Sequence, residues 1–252
     1  MPPDGAAANV RRVISGLPQG AVDVPAAVSA VAAGRPLRPV WRNELGGLTF
    51  EIGAGAGRSF VKFAPAGSGL PLHREAERLR WAGRYTPVPE VLAEGADETG
   101  FWLHTAGVPG RSAVDGRWLA DPGPAVAAIG HGLRELHARL PVDQCPFTWS
   151  VTDRVAGRPV DEEAPPIDRL VVCHGDACAP NTLIADDGRW SGHVDLATLG
   201  VADRWADLAV ASYSLGWNYG PQWEPVLFAA YGVEPDRDRI AFYRWLWDLG
   251  SA

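Results

Sequence analysis

The strongest constraint on this chain is a cluster of polar residues that follows a predicted buried strand. The strand leads into His174-Gly175-Asp176, and Asn181 comes five residues after Asp176. A predicted hairpin then returns the chain, so that Asp195 lies beside Asn181 although fourteen residues separate them. Carboxylate and amide oxygens are the ligands that Mg²⁺ prefers, and it usually shares them with substrate phosphates. The sequence therefore predicts a magnesium site at the base of this hairpin.

The chain contains a single lysine, Lys62, and all its other basic side chains are arginines. Alanine, glycine, proline and arginine are abundant throughout, so a bias toward these residues would replace a lysine wherever an arginine serves equally well. A lysine is then retained where a compact ammonium group is needed, here on a strand predicted for residues 59–63. Chance survival of one lysine is the alternative.

A carboxylate on the next predicted element is the natural partner of this ammonium group. The periodicity of residues 70–84 predicts a helix, and Glu75 falls on its apolar face. A buried carboxylate needs a cationic partner, and Lys62 is the nearest in type and position. We therefore predict an ion pair between Lys62 and Glu75. The alternative is a Glu75 that reaches water at the edge of the apolar face.

The predicted cation, oxygen ligands and carboxylate are the groups that an enzyme needs for phosphoryl transfer from a nucleotide. The reaction needs a cation on the α- and β-phosphates, metal ions that bridge phosphates, and a base near the incoming hydroxyl. Lys62 supplies the cation, Asn181 and Asp195 hold the metal, and Asp176 accepts the hydroxyl proton. No Walker-type glycine-rich loop is present in the sequence, which excludes a P-loop nucleoside triphosphatase.

The order of predicted elements defines a fold class. Strands at residues 40–44, 48–52 and 59–63 form a β-meander, whose first turn contains Gly46 and Gly47 and lets backbone N–H groups approach phosphate. The second half of the chain is mostly helical. This order predicts an α+β, bilobal protein-kinase-like fold with a small β-rich N-lobe and a larger, mainly helical C-lobe.

The predicted domain boundaries follow from changes in composition along the chain. Residues 1–38 are rich in alanine, proline and glycine, and we treat them as an N-terminal extension of unknown role that holds one helix at residues 25–33. Residues 39–108 form the nucleotide-binding N-lobe. Residues 109–252 form the C-lobe with the catalytic loop and the acceptor site.

Composition excludes several functional classes. The net charge of −7 argues against a nucleic-acid-binding protein and against binding to anionic membranes. No apolar stretch is long enough to span a bilayer, and the N-terminus does not have the layout of a signal peptide. Three cysteines without a C-x-x-C pair indicate neither a disulfide framework nor a zinc site. We therefore expect a cytoplasmic globular protein, a monomer or weak dimer.

Several motifs resemble the aminoglycoside phosphotransferase family. The chain reads Val-Val-Cys-His-Gly-Asp-Ala-Cys-Ala-Pro-Asn at residues 171–181, Gly-His-Val-Asp-Leu at 192–196 and Gly-Val-Ala-Asp-Arg-Trp-Ala-Asp-Leu-Ala at 200–209. Residues 142–147 and 236–244 resemble the branch that phosphorylates the 3′ or 3″ hydroxyl of kanamycin- or streptomycin-type antibiotics. The resemblance is strong over residues 131–249, moderate over 58–110 and absent over 1–38.

The resemblance implies roles for individual residues. It implies that Asp176 is the catalytic base, that Asn181 and Asp195 hold Mg²⁺, and that Lys62 and Glu75 serve the phosphates of ATP, with GTP as a possible donor. The linker residues that receive the adenine are then Thr105, Ala106 and Val108. Asp203 and Asp207 are implied to be structural hydrogen-bond acceptors that steady the catalytic loop.

The acceptor side carries its own physical expectation. Aminoglycosides are polycations, so their site is expected to be anionic. The candidate carboxylates are Asp161, Glu162, Glu163 and Asp248, although the first three also fit a solvated loop. The eleven tryptophans fill the core or line a sugar-binding surface.

Two departures from the family leave the acceptor open. The segment 148–170 is shorter than the helical insert of the family, and Thr198 stands where relatives often have arginine. The sequence thus predicts an ATP- and Mg²⁺-dependent kinase for an aminoglycoside hydroxyl, which confers resistance. A kinase of the same fold for another small alcohol, and a non-catalytic nucleotide-binding module, are the alternatives.

Overall fold

The computed structural model describes residues 15–18, 20–155 and 163–250 of the chain. These residues form two compact units. The N-terminal unit holds the described chain up to Leu70 together with Ala93–His104, and the C-terminal unit holds Pro71–Leu92 and the chain from Thr105 onward. The β-rich first unit and mainly helical second unit confirm the predicted α+β class.

The strands are β1 (Ser15–Gly16), β2 (Leu37–Asn43), β3 (Leu48–Ile52), β4 (Ser59–Pro65), β5 (Val91–Asp97), β6 (Gly100–Ala106), β7 (Arg111–Ser112), β8 (Leu170–Cys173), β9 (Thr182–Ile184), β10 (Trp190–His193) and β11 (Gly200–Asp203). The α-helices are α1 (Ala26–Ala32), α2 (Leu72–Ala82), α3 (Gly116–Ala120), α4 (Pro122–Arg139), α5 (Val151–Val155), α6 (Trp205–Asn218), α7 (Glu224–Tyr231) and α8 (Arg237–Gly250). The five helices predicted at residues 70–84, 124–140, 207–219, 222–231 and 237–249 are all observed, with shifted ends. No described helix is long and apolar enough to cross a bilayer.

The N-terminal unit is built on a six-stranded sheet with the order β1-β2-β3-β4-β6-β5. Helix α1 packs on this sheet through Val28 and Ala32, which lie four residues apart and therefore on one helix face. The buried residues around them are Phe50, Ile52, Val61 and Phe63. The described part of the predicted extension therefore belongs to the core and sheet of this unit. The sequence did not indicate this role, because the side chains of α1 are mostly small.

Helix α2 belongs to the C-terminal unit, although its sequence position suggested the N-lobe. The Nε group of Arg78 donates to the carbonyl oxygen of Leu199 over 2.9 Å, and the ring of Trp81 meets that of Phe147 edge-on with centroids 6.1 Å apart. These contacts span more than sixty positions along the chain, so local periodicity does not reveal them. The division by contacts consequently differs from the predicted boundaries at 38/39 and 108/109.

The C-terminal unit has a helical core beside two small sheets. One sheet has the order β10-β9-β7, and the other pairs β8 with β11 in antiparallel register, with Cys173 opposite Gly200. Helices α4 and α7 approach closely at Gly130, where an added Cβ would lie 2.5 Å from the carbonyl oxygen of Leu227. The segment predicted as a loop over residues 148–166 contains α5, and residues 156–162 lie outside the described residues.

The packing of α1 yields a stability prediction. Val28→Ala removes buried methyl groups from the N-terminal core, so we expect the free energy of unfolding to fall by about 1–3 kcal/mol. Ser29→Ala, on the exposed side of the same helix, is the control and should change it by less than about 0.5 kcal/mol. Urea denaturation measures both. Equal stability of the two variants would contradict the packing.

Two helical glycines give a matched pair of predictions. Gly130→Ala places its Cβ against backbone of α7, so we expect a loss of about 1–3 kcal/mol in the free energy of unfolding. Gly216 in α6 has no atom within 4 Å of its added Cβ, so Gly216→Ala should stabilise by about 0.5–1 kcal/mol through helix propensity. Thermal and urea unfolding measure the two changes. Effects of the same sign would contradict the close approach of α4 and α7.

Candidate active site

The candidate catalytic loop, residues 174–181, begins where β8 ends, and its first turn requires glycine. Gly175 has φ +84°, in the left-handed region that side chains rarely adopt. An added Cβ there would lie 2.2 Å from the carbonyl oxygen of Thr198, on the segment that precedes β11. Close backbone packing between Gly175 and this segment therefore fixes the position of Asp176, the next residue of the loop.

Asp207, in the first turn of α6, holds this loop by its backbone. Its two carboxylate oxygens accept the N–H groups of His174 and Gly175, over 2.6 and 2.9 Å. His137 on α4 lies 2.9 Å from the same carboxylate through Nε2 and 2.9 Å from the Tyr231 hydroxyl through Nδ1. The structural role predicted for Asp207 is thus confirmed.

The ionisation of Asp207 follows from these contacts. Burial alone would raise the pKa of this carboxyl. The hydrogen bond and charge of His137, the nearby His174 and the N–H of Gly175 outweigh burial, and the net shift lowers the pKa. Asp207 is therefore a buried carboxylate anion with every oxygen in use, which makes the loop geometry costly to distort.

Asp203 holds a neighbouring segment instead of the loop itself. Its carboxylate accepts the backbone N–H of Asp168 over 2.8 Å and that of Trp205 over 3.2 Å. The guanidinium of Arg239 donates to it over 3.2 Å. Asp203 is a structural hydrogen-bond acceptor, as predicted, but these bonds join the start of β8 to the start of α6 and do not reach the catalytic loop.

Asp176 and Asn181 form one hydrogen-bonded unit. The side-chain amide of Asn181 donates to the backbone carbonyl of Asp176 over 2.9 Å and to its carboxylate Oδ2 over 3.2 Å. These bonds occupy the amide nitrogen and leave the amide oxygen of Asn181 as an acceptor. The other carboxylate oxygen, Asp176 Oδ1, is buried and has no hydrogen-bond partner among the described residues. An oxygen buried in this way calls for a ligand.

The hairpin of β9 and β10 brings Asp195 to the same place. The N–H of Val194 donates to the carbonyl oxygen of Asn181 over 3.0 Å, and the ring of His174 contacts the Val194 carbonyl oxygen over 2.8 Å. Asp195 follows directly, with φ +64°, which is rare for a residue with a side chain and is often found at functional sites. The structure thus brings Asp176, Asn181 and Asp195 together, as the hairpin argument predicted.

The donor set suits Mg²⁺. The amide oxygen of Asn181 and the carboxylate of Asp195 are hard oxygen ligands, and the bond from the Val194 N–H to the Asn181 carbonyl oxygen brings the two residues together. A second cluster, His137, Cys173 and Asp207, has ligand atoms within 4.8 Å of one another. It does not fit a metal, because its imidazole and carboxylate are already hydrogen-bonded, and burial raises the pKa of Cys173 well above its usual value.

His193 is the last residue of β10, and its buried side chain carries no charge. It is 1% exposed, and neither ring nitrogen has a hydrogen-bond partner among the described residues. Burial, with the nearby His174, lowers its pKa well below the usual value. Since it is neutral and packed against the rings of His174 and Trp190, His193 fills space beneath the site.

Four of the residues predicted to serve the nucleotide lie on β4, α2 and β6, and Val108 follows β6. Lys62 is on β4 opposite Thr49 and is half-buried, and Glu75 on α2 is buried. Thr105 and Ala106 end β6, where the N–H of Ala106 donates to the carbonyl of Glu90 over 2.9 Å. The Lys62–Glu75 ion pair and the adenine contacts of Thr105, Ala106 and Val108 stay predictions.

The glycine turn between β2 and β3 uses its N–H groups internally. The N–H of Gly46 donates to the carbonyl of Asn43 over 3.2 Å, and that of Gly47 donates to the Asn43 side chain over 2.7 Å. The geometry therefore does not support the expectation that these two N–H groups contact phosphate. The sequence pattern predicted the turn correctly, but it did not indicate that the side chain of Asn43 accepts the N–H of Gly47.

The predicted acceptor residues are only partly described. Asp161 and Glu162 lie outside the described residues, and Glu163 is exposed. Asp248 is exposed on α8, where its carboxylate accepts a hydrogen bond from the Tyr213 hydroxyl over 3.4 Å.

Two supports of the catalytic loop were not predicted. The indole N–H of Trp149 donates to the carbonyl of Gly175 over 3.3 Å, and the guanidinium of Arg154 lies 5.3 Å from the Trp149 ring centroid. The N–H of Ala179 donates to Ser214 Oγ on α6 over 2.9 Å. These partners are distant in sequence and belong to no motif, so no local signal indicates them.

Comparison with known proteins agrees with this geometry. The model of the phosphotransferase enzyme family matches residues 42–158 and 152–243. An aminoglycoside 3′-phosphotransferase of Streptomyces fradiae is 35% identical over 220 residues, covering 73% of this chain and 81% of the relative. A streptomycin 3″-kinase of Streptomyces griseus is 34% identical over 224 residues, covering 73% of this chain and 82% of the relative.

Solved structures of the same kind are also similar. The crystal structure of an aminoglycoside 3′-phosphotransferase of type VIII superposes with a TM-score of 0.72 at 31% identity, covering 88% of this chain and 97% of that one. An aminoglycoside phosphotransferase from Streptomyces rimosus, in complex with ADP and streptomycin, gives 0.67 at 28% identity, covering 88% and 96%. The loop geometry, the family match and these likenesses agree, and the chain belongs to the phosphotransferase enzyme family of the aminoglycoside phosphotransferases, with their kinase-like fold.

Proposed function

We propose that this enzyme transfers the γ-phosphoryl group of ATP to the 3′ or 3″ hydroxyl of an aminoglycoside, in a reaction that requires Mg²⁺. The observation that carries the proposal is the Asp176–Asn181 unit, in which one buried carboxylate oxygen has no hydrogen-bond partner among the described residues, together with the left-handed Asp195 at the end of the hairpin. The acceptor follows from relatives named as aminoglycoside 3′-phosphotransferases and as a streptomycin 3″-kinase.

The two oxygens of Asp176 have different tasks. Oδ2 is held by the amide of Asn181, so the carboxylate cannot rotate freely. Oδ1 is buried and has no hydrogen-bond partner among the described residues. In the proposed reaction it accepts the proton of the acceptor hydroxyl as the hydroxyl oxygen attacks phosphorus. Orientation of the hydroxyl and acceptance of its proton are the contributions of Asp176.

The donor nucleotide is assigned to residues of β4, α2 and the end of β6. Lys62 binds the α- and β-phosphates and is held by Glu75, and Thr105, Ala106 and Val108 receive the adenine. Mg²⁺ bound by Asn181 and Asp195 would neutralise phosphate charge during transfer. GTP is an alternative donor.

The acceptor is bound through its ammonium groups. We assign this role to the carboxylates of Asp161, Glu162, Glu163 and Asp248, which attract a polycation. The enzyme acts as a monomer or weak dimer in the cytoplasm, where phosphorylation of the drug would confer resistance. A same-fold kinase of another small alcohol is the second candidate, because the segment before β8 is short.

A screen of acceptors tests the proposal. ADP release measured across aminoglycosides with ATP and Mg²⁺ should rise for at least one 3′- or 3″-hydroxyl substrate. Asp176→Ala should lower its turnover by roughly 10²–10⁴, the scale of a lost acid–base group. Turnover of the variant within about threefold of wild type would refute the role of Asp176. Release with a different alcohol alone would favour the second candidate.

Asp207 yields a second kinetic prediction. Asp207→Asn replaces one acceptor oxygen by a donor, so an N–H group of the catalytic loop loses its partner. We expect kcat to fall by roughly 10–10², since small misplacements of catalytic groups cost that much. Glu135→Gln, which removes an exposed pair with Arg139 on α4, is the control and should leave kcat within about twofold. Equal kcat values for the two variants would contradict the holding role of Asp207.

A further inference from the structure

Helix α5 carries a half-buried cation, Arg154, next to the candidate catalytic loop. Its guanidinium lies 5.3 Å from the ring centroid of Trp149, and the indole N–H of Trp149 donates to the carbonyl of Gly175 over 3.3 Å. The ring of Trp149 also meets that of Tyr243, with centroids 6.3 Å apart. The ring under the guanidinium is therefore held from two sides, and it ties Arg154 to the loop that carries Asp176.

Arg154 and Asp176 each have a buried polar atom without a hydrogen-bond partner among the described residues. These atoms are Nε of Arg154 and Oδ1 of Asp176. The two atoms consequently do not bond to each other, although the charges of the two side chains interact. Since buried polar atoms are normally paired, one unpaired donor and one unpaired acceptor here indicate a ligand that both accepts and donates hydrogen bonds.

The charge of Arg154 indicates which part of a ligand it binds. Burial lowers the pKa of this guanidinium, and the negative charge of Asp176 raises it again. A guanidinium stays protonated at neutral pH, so Arg154 is a permanent cation beside the loop. It would repel the ammonium groups of a polycationic acceptor, whereas phosphoryl oxygens are strong acceptors for an arginine N–H. The observations therefore favour a phosphoryl group over the acceptor molecule as its ligand.

We propose that Arg154 is a further catalytic residue, whose Nε–H donates to an oxygen of the phosphoryl group as this group moves from ATP to the acceptor. The inference rests on the proposed function. The acceptor oxygen forms its bond to phosphorus, the bond from phosphorus to the β-phosphate oxygen of ATP breaks, and the acceptor proton goes to Oδ1 of Asp176. Arg154 exchanges no proton in this step and stabilises the negative charge on the phosphoryl oxygens.

Two variants of Arg154 test this role in turnover, with ATP and the aminoglycoside that the wild-type enzyme phosphorylates best. Arg154→Met keeps an unbranched side chain over Trp149 but removes the charge. We expect its kcat to fall by roughly 10²–10³, with the KM values for ATP and for the acceptor within about threefold. Arg154→Lys keeps the charge without the guanidinium and should recover part of the loss. A raised acceptor KM at unchanged kcat would overturn the proposal, because Arg154 would then bind the acceptor in the ground state.

Arg117→Met is the matched control. The guanidinium of Arg117 also lies over a tryptophan, 4.6 Å from the ring centroid of Trp118, but its charged partner is Asp186. This variant should leave kcat within about twofold, as expected for an exposed pair. A kcat of Arg154→Met equal to that of the control would overturn the role of Arg154.

Binding of ADP in the presence of Mg²⁺ and aluminium fluoride gives a second readout that needs no acceptor. Aluminium fluoride mimics the phosphoryl group in transfer, so it should tighten ADP binding to the wild-type enzyme and to Arg117→Met. In Arg154→Met we expect this tightening to be smaller by about tenfold or more, with unchanged binding of ADP alone.

The same degree of tightening in all three proteins, including none, would overturn the role of Arg154. Weaker binding of ADP alone in Arg154→Met would also overturn it, because the residue would then support the structure of the site. If the wild-type enzyme phosphorylates no aminoglycoside, the proposed function fails, and the ADP measurement still decides whether Arg154 binds the phosphoryl group.

Discussion

The carboxylate of Asp207 is the interaction on which the rest of the candidate site depends. It is fully buried, it accepts the N–H groups of His174 and Gly175, and His137 holds it in place. A buried charge is tolerated only where its hydrogen bonds are complete. The N–H groups of the loop therefore stabilise the buried carboxylate, and the carboxylate in turn holds the loop in the conformation that supplies these N–H groups.

Further hydrogen bonds connect the loop held by Asp207 to the hairpin and to helix α6. His174 contacts the Val194 carbonyl, and Val194 bonds to Asn181, so the hairpin and the loop are tied at two points. Asn181 then orients Asp176. Ser214 of the same helix as Asp207 supports the loop farther along, at Ala179. Helix α6 therefore supports the catalytic loop at two points, through Asp207 and through Ser214.

The catalytic cluster was predictable because its residues are close in sequence or are joined by a hairpin, which fixes proximity through local geometry. The packing of Val28, the N–H groups of Gly46 and Gly47, and the placement of α2 were not. Each depends on a partner elsewhere or on a side chain that competes for a backbone group. Trp149 is the clearest case, since its indole reaches Gly175 from a segment that resembled a loop.

The central claim is that Asn181 and Asp195 form the oxygen site for the metal of a bound nucleotide. A crystal structure of the enzyme with Mg²⁺ and a non-hydrolysable ATP analogue tests it most directly. The account predicts Mg²⁺ within about 2.0–2.1 Å of the amide oxygen of Asn181 and of a carboxylate oxygen of Asp195, bridging to phosphate. A bound nucleotide whose metal touches neither residue would contradict it.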